Sequence, residues 1–360
     1  MNYFISLGQA NQKGVINLNL AELKEDFYKR FSSSDQFLIY SRMGMPCSLL
    51  GDVETEYCPS LSCCLSMRAQ VYGRRLNGDA IRFQSSANND CIVFHPGDVV
   101  KKEYRDLFST VEKMYNYGVR GADLFADCSV PKRLNPDRVI KAAVFDTLSR
   151  LYEIVLPTDL CDKNAKQYEA ILSAKKGYAY FRGHNIPLPL TGYKIMIVQG
   201  DKQDKFPRAR HIKNGFLSLK KLYPHINSLS DVTIELLESS KKAVHDKETL
   251  NLLRHFADEN ERIKRTAAGL KKCDIEPLFI EINMSEQSQE RLCRLEKQHI
   301  FIARIALDTD GVLCARVWKN GIFAIVREEK VDYVIRNINY EFEKKEGCQP
   351  HICIADTFGD

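Results

Sequence analysis

No apolar run in this 360-residue sequence reaches the ~20 residues that a helical membrane span needs, so no membrane partner is expected. The opening Met1-Asn-Tyr-Phe-Ile-Ser lacks the charged segment that begins a secretory signal, and the expected location is cytoplasmic. Paired Cys-x-x-Cys spacing is also missing. Cys58, Cys63 and Cys64, or Cys348 and Cys353, do not fit a structural zinc site, and His-Glu-x-x-His does not occur, so no metal is expected. A folded chain of this length does not need a disulfide framework, and the twelve cysteines read as reduced thiols, nearly all small buried hydrophobes. Charge excess is small as well. The 52 basic and 47 acidic residues leave +5, scattered throughout, which argues for solubility and against a nucleic-acid partner.

A more telling absence lies within residues 128–152, which read as strand end, loop and helix. Asn135 is placed to cap the helix and Pro136 to occupy its first position. Val139/Ile140, Ala143/Val144, Leu148 and Leu151 recur at helical spacing and give one buried face. A strand running into a helix N-terminus offers an anion site, because unpaired N–H groups and the helix dipole converge there. This loop, however, has no glycine to let its backbone wrap a phosphate and no Ser or Thr in 132–140 for magnesium. Asp137 already supplies negative charge in the first turn. The candidates left for an anion are Lys132, Arg133 and Asn135.

What is present describes an α+β protein with mixed sheets and helices, expected to form two lobes because single cores stop growing near ~250–300 residues. The division is expected at 1–191 and 192–360. The N-terminal part begins with a helix whose Leu23, Phe27 and Phe31 share a face. Strand-like segments follow at 36–40, 69–73 and 80–84, with Asn77-Gly78 as a hairpin turn between the last two, and another at 91–95. A helix at 104–115 and a strand at 123–128 lead into the loop, after which 161–176 reads as helix and 177–182 as strand. The C-terminal part has a buried strand at 193–199 and helices at 206–222, 232–240, 247–270, 275–285 and 287–299. Strands at 312–317 and 322–326 turn at Lys319-Asn320-Gly321, and a helix at 331–345 and a strand at 351–355 follow. The basic cluster Lys202, Lys205, Arg208, Arg210 and Lys213 is interleaved with Asp201 and Asp204 and reads as a solvated loop and helix start. His255 with Glu259, Glu261 and Arg262 reads as a helix-surface charge network.

Five passages, in order along roughly 38–358, resemble galactokinases of the GHMP kinase superfamily. Gly51-Asp-Val-Glu-Thr-Glu-Tyr is similar to Gly-Glu-His-Thr-Asp-Tyr with one residue inserted, and Gly121-Ala-Asp-Leu-Phe-Ala-Asp-Cys-Ser-Val-Pro to the strand before the nucleotide loop. Phe206-Pro-Arg-Ala-Arg is similar to Tyr-Pro-x-Arg-Arg. Arg254-His-Phe-Ala-Asp-Glu-Asn-Glu-Arg resembles the helix Arg-His-Val-x-x-Glu-x-x-Arg, and Asp310-Gly-Val-Leu-Cys-Ala-Arg resembles the approach to the last glycine motif. The resemblance implies a two-lobed GHMP-kinase-like fold with a cleft between lobes, and a sugar ligand. Asp52, Glu54, Glu56, Tyr57 and Phe206 are the residues offered to that sugar, with Phe206 lacking the hydroxyl of the family's tyrosine.

The departures point away from turnover. The family's Pro-x-Gly-x-Gly-Leu-Ser-Ser-Ser loop is replaced after Pro131 by Lys132-Arg-Leu-Asn-Pro-Asp-Arg-Val-Ile. Lys166 stands at the catalytic Asp position and Met45 at that of its charged partner. Trp318-Lys-Asn-Gly-Ile-Phe replaces the closing glycines, exchanging close backbone approach for bulk. Phosphoryl transfer depends on positioning and on charge stabilisation by metal and cations, and every part supplying them is altered. The expectation is a degenerate member without a cofactor, a sugar sensor or partner-binding pseudokinase. The alternative is an active sugar 1-kinase using Mg-ATP, with Lys132, Arg133 and Lys166 holding phosphates.

Overall fold

The computed structural model describes residues 19–32, 37–52, 55, 57–161, 165–244 and 246–358. The chain divides into an N-terminal unit of residues 1–45 and 67–163 and a C-terminal unit of residues 46–66 and 164–360. Against the expected division at 191/192, residues 46–66 and 164–191 group with the C-terminal residues. They are tied there by the pairing of Ser62 with Tyr180, the bridge of Leu65 to Thr357, and the Cys64 thiol on the Ala170 carbonyl.

In the N-terminal unit, α1 (Leu20–Phe31) begins in a capping box between Asn19 and Glu22, and its Leu23, Phe27 and Phe31 pack on Tyr72 and Phe125 as the helical spacing requires. β1 (Ile39–Gly51) and β2 (Ser60–Arg75) contribute residues to both units. β3 (Ile81–Ser85), β4 (Asn88–Phe94), α2 (Arg105–Tyr115), β5 (Ala122–Cys128) and α3 (Asp137–Tyr152) complete this unit's regular elements. β2 and β3 do not form the hairpin expected at Asn77-Gly78. β5 lies between them, antiparallel to β2 and parallel to β3, while β3 pairs with β4. β5 is buried at nearly every position and so takes a central place, and the Gly121 N–H donates to the Gly78 carbonyl at 2.8 Å. Asp123 of β5 is buried against Arg74 at 2.9 Å and Arg82 at 2.5 Å.

The C-terminal unit contains α4 (Ala165–Leu172) and the hairpin of β6 (Tyr178–Phe181) and β7 (His184–Pro187). β8 (Tyr193–Gln199), α5 (Arg208–Leu222), α6 (Ile234–Ser239), α7 (Lys247–Leu270), α8 (Glu276–Leu292) and α9 (Lys297–Leu307) follow. The chain continues through β9 (Val312–Trp318), β10 (Gly321–Arg327), α10 (Val331–Glu346) and β11 (His351–Ala355). The four strands form an antiparallel sheet in the order β11-β8-β10-β9. One core joins its Met196, Val198, Val317 and Ala324 to Ile302 of α9 and Ile338 and Phe342 of α10, and a second gathers Phe216, Leu237, Leu252 and Leu253 from α5, α6 and α7. Helix α8 runs through the break expected at 286, and α9 begins ten residues later than expected, at Lys297. Close approach is not lost at the β9–β10 turn, because a Cβ on Gly321 would lie 2.1 Å from the Val198 carbonyl oxygen.

Candidate functional site

The loop before α3 is closed by its own backbone hydrogen bonds. Lys132–Leu134 make a single 3₁₀ turn in which the Leu134 N–H donates to the Pro131 carbonyl at 2.8 Å, and the Leu134 side chain is buried. Asn135 is not the N-cap. It sits in the left-handed region at φ 59°, and Pro136 holds the cap position with no side-chain cap bond. Lys132 and Arg133 are exposed. Lys141, one turn into the helix, is buried with its Nζ 2.6 Å from Asp106. Burial and the neighbouring Asp106 push the Asp137 carboxyl above its ordinary value, against the opposing Lys141 charge. Burial likewise raises the Cys128 thiol to about 12, so it is no nucleophile at neutral pH.

Met45 is buried in β1 and carries no charge, and Lys166 falls in α4 with its side chain outside the described residues. Glu54 and Glu56 also lie outside them. Asp52 and Tyr57 mark the two ends of a loop whose neck is tight. Gly51 has φ +68°, a Cβ there would lie 1.9 Å from the Pro59 carbonyl oxygen, and the Asp52 N–H donates to that same oxygen at 3.0 Å. The Asp52 carboxylate accepts from the Thr55 hydroxyl. Tyr57 stacks on Phe216 at 4.3 Å between ring centroids, and its carbonyl accepts from the Leu229 N–H at 2.9 Å.

Phe206 stacks on His211 at 4.7 Å and lines a cavity of ≈ 680 Å³ with Lys202, Asp204, Lys205 and Arg294. Phe206 and Tyr57 pack against the same α5–α7 core. Two members of the basic cluster nearby are ion-paired, Arg208 with Asp204 and Lys202 with Glu346 at 3.3 Å, and His211 contacts Asp246 at 3.0 Å.

Beneath Gly51 lies a buried polar network that the sequence reading put on a helix surface. His255, Glu259 and Arg262 of α7 are at most 6% exposed, on a helix packed against α8. Glu259 accepts from the Gly51 N–H at 2.7 Å and from Arg262 at 3.0 Å, with Arg316 of β9 at 3.5 Å. Arg316 in turn reaches the carbonyls of Leu49 at 3.3 Å and Gly51 at 3.4 Å, and with the Gln289 amide oxygen turned toward it makes a further bond of 2.8 Å. Burial opposes charge on Glu259, yet the neighbouring guanidinium groups of Arg316 and Arg262 hold its carboxyl below the ordinary value. Burial lowers the His255 imidazole to about 3, leaving it neutral with Nδ1 3.0 Å from Ser288 Oγ. Burial raises the Glu286 carboxyl to about 7, although it accepts from the Val317 N–H at 2.6 Å. The available signal was spacing: Leu252, His255, Glu259, Arg262, Thr266 and Leu270 recur along one helical stripe, with apolar residues at both ends.

Among the described residues no group of His, Cys, Asp or Glu side chains is arranged to hold a metal ion, and no helix is long and apolar enough to cross a membrane. All twelve cysteines are free thiols, but Cys91 and Cys273 are exposed, contrary to the expectation of near-universal burial.

No family model matches the sequence. Among curated proteins, a galactokinase of Clostridium perfringens is 27% identical over 180 residues, 47% of this chain and 46% of the relative. A galactokinase of Thermosipho africanus is 23% identical over 194 residues, 49% and 53% respectively. The chain thus spans about half the length of the curated relatives it matches. Among solved structures, Lactococcus lactis galactokinase complexed with galactose superposes with a TM-score of 0.80 at 17% identity, covering 94% of this chain and 98% of that one. Methanococcus jannaschii mevalonate kinase gives 0.57 at 12%, covering 91% and 99%.

Proposed function

We propose that this chain, a galactokinase homologue with the GHMP-kinase fold, binds a hexose or hexose-like ligand without phosphorylating it and serves in the cytoplasm as a sensor or partner-binding protein. The observation that carries this reading is the 131–141 loop. A triphosphate with its magnesium is held by closely spaced backbone N–H groups and a hydroxyl ligand. Here 132–140 contains neither glycine nor hydroxyl, Leu134 at the centre of the turn is buried, and buried Lys141 is paired with Asp106. These residues do not fit Mg-ATP. Their only exposed cations are Lys132 and Arg133, on a turn with no glycine to bring its backbone close to a phosphate.

The sugar side of the reading is supported by different features. The Asp52 carboxylate can accept hydroxyl hydrogen bonds, Tyr57 is fixed by stacking, and Phe206 offers an apolar ring beside a cavity. The galactokinase of Lactococcus lactis was crystallised with galactose, which makes galactose the first probe. A thermal-shift panel with D-galactose, other hexoses, Mg-ATP and both together separates the readings by ligand linkage. Stabilisation by a hexose alone is the expected result. Stabilisation by Mg-ATP favours an active sugar 1-kinase with a rebuilt site, and no shift with any of them leaves a purely structural interaction protein.

A further inference from the structure

We infer that Glu259 and Arg316 are positioning residues that clamp the backbone of residues 49–52 and thereby aim the Asp52 carboxylate at its ligand. The ligand half of this inference rests on the sugar reading above, while the clamp itself does not. Its geometry is specific. One carboxylate and one guanidinium together meet three backbone groups of a single short segment: the Gly51 N–H at 2.7 Å and the carbonyls of Leu49 and Gly51 at 3.3 and 3.4 Å. Leu49 and Gly51 are buried, so without these partners their polar groups would have none of water's compensation.

Stability alone does not account for the arrangement. A buried ion pair commonly contributes no more than well-packed apolar residues of the same volume. What an ion pair adds is direction, because a forked guanidinium and a carboxylate fix the groups they meet to within a narrow geometry. The pair is itself held from behind by Arg262 at 3.0 Å from Glu259 and by the Gln289 amide at 2.8 Å from Arg316. On the loop side, the segment leaves the clamp through the tight neck at Gly51 and Pro59, and the next side chain is that of Asp52. At the loop's far end Tyr57 is fixed separately, by its stack on Phe216 and its carbonyl bond from Leu229. A side chain that leaves directly from a backbone segment held in this way is a preorganised binding group.

The test measures amide hydrogen exchange in the ligand-free full chain, together with D-galactose affinity by calorimetry, for wild type, Glu259→Gln and Arg316→Lys. In Glu259→Gln, exchange across 49–52 should rise roughly ten- to hundredfold, the equilibrium equivalent of losing a hydrogen bond to a charged group. Exchange in the β8–β11 sheet should stay as in wild type. Arg316→Lys keeps the charge beside Glu259 but presents one ammonium in place of a fork, so it should show a smaller rise at the same residues and remains informative if Glu259→Gln fails to fold. Galactose affinity should fall in the same order as exchange rises. Unchanged exchange at 49–52, or a rise spread evenly over the chain, overturns the clamp. A local rise with undiminished affinity overturns its role in aiming Asp52. If wild type binds no galactose, the sugar reading falls, and the exchange data still decide the clamp.

Discussion

Two loops of this molecule end a strand where the galactokinase resemblance puts ligand chemistry, and they have been built in opposite ways. The loop of residues 129–136 lacks glycine, carries a buried leucine at its centre and leaves its two cations in solvent. The loop of residues 51–59 depends on a glycine that no other residue can replace without a clash, and buried charges grip its neck. The first is closed by backbone hydrogen bonds from Leu134 to Pro131 and from Asn135 to Lys132 and has no glycine at which its backbone could approach a phosphate closely. The second uses side chains to hold backbone in place, which is the arrangement a binding group needs. Likeness of fold thus carries no guarantee that every site found on that fold is kept.

Substitutions can break this comparison at either loop. The largest effect is expected from Glu259→Ala, which leaves Arg316 buried without its carboxylate. A loss of ~3–5 kcal/mol in urea unfolding is expected, and a loss below ~1 kcal/mol would mean that the clamp is not holding. Gly51→Ala should follow at about 3 kcal/mol, since it adds a clash with Pro59 to a left-handed backbone. Gly118→Ala in the N-terminal unit, also at positive φ but with open space around the added Cβ, should cost only ~1–2 kcal/mol.

Acidity sharpens the contrast further. Glu286 is raised from 4.5 to about 7 in the folded chain, so between those values the folded state keeps a proton that the unfolded state has released. Its contribution is present below the unfolded value and is lost as pH rises through about 7. His255, lowered from 6.5 to about 3, acts oppositely, with a contribution present above 6.5 and lost as pH falls toward 3. The stability of wild type relative to Glu286→Gln should therefore fall by ~2–3 kcal/mol between about pH 4.5 and 7.5, and a difference independent of pH would show that Glu286 ionises normally. The smallest effect is expected at the loop's exposed side chains: Lys132→Ala and Arg133→Ala should each shift stability by less than ~0.5 kcal/mol and leave hexose binding unchanged.

Much of the architecture could be read from periodicity. The apolar face of α1, the buried strand β8, the hairpin of β9 and β10 and the long helix α7 follow directly from residue spacing, because each buries a regular stripe. The β2–β3 hairpin was misread because Asn77-Gly78 is a true turn signal, and nothing local reports that β5, forty residues on, will lie between the two strands. Of the candidate site, Asp52, Tyr57 and Phe206 were legible through the family resemblance. The clamp roles of Glu259 and Arg316 were not: charged residues at helical spacing on α7 suggest a solvated face until α8 is seen to pack on it, and nothing local in β9 reports that Arg316 is buried against Glu259. The closed turn at Leu134 was legible only as an absence of glycine. That the leucine packs inward is a tertiary fact.

The central claim is that the triphosphate grip is gone, and steady-state ATP consumption by the purified chain with saturating magnesium and D-galactose tests it most directly. The account predicts no sugar-dependent ATP hydrolysis and no galactose phosphate above the enzyme-free control. Galactose phosphate formed in proportion to chain concentration, and abolished in a Lys132→Ala, Arg133→Ala double variant, would contradict it.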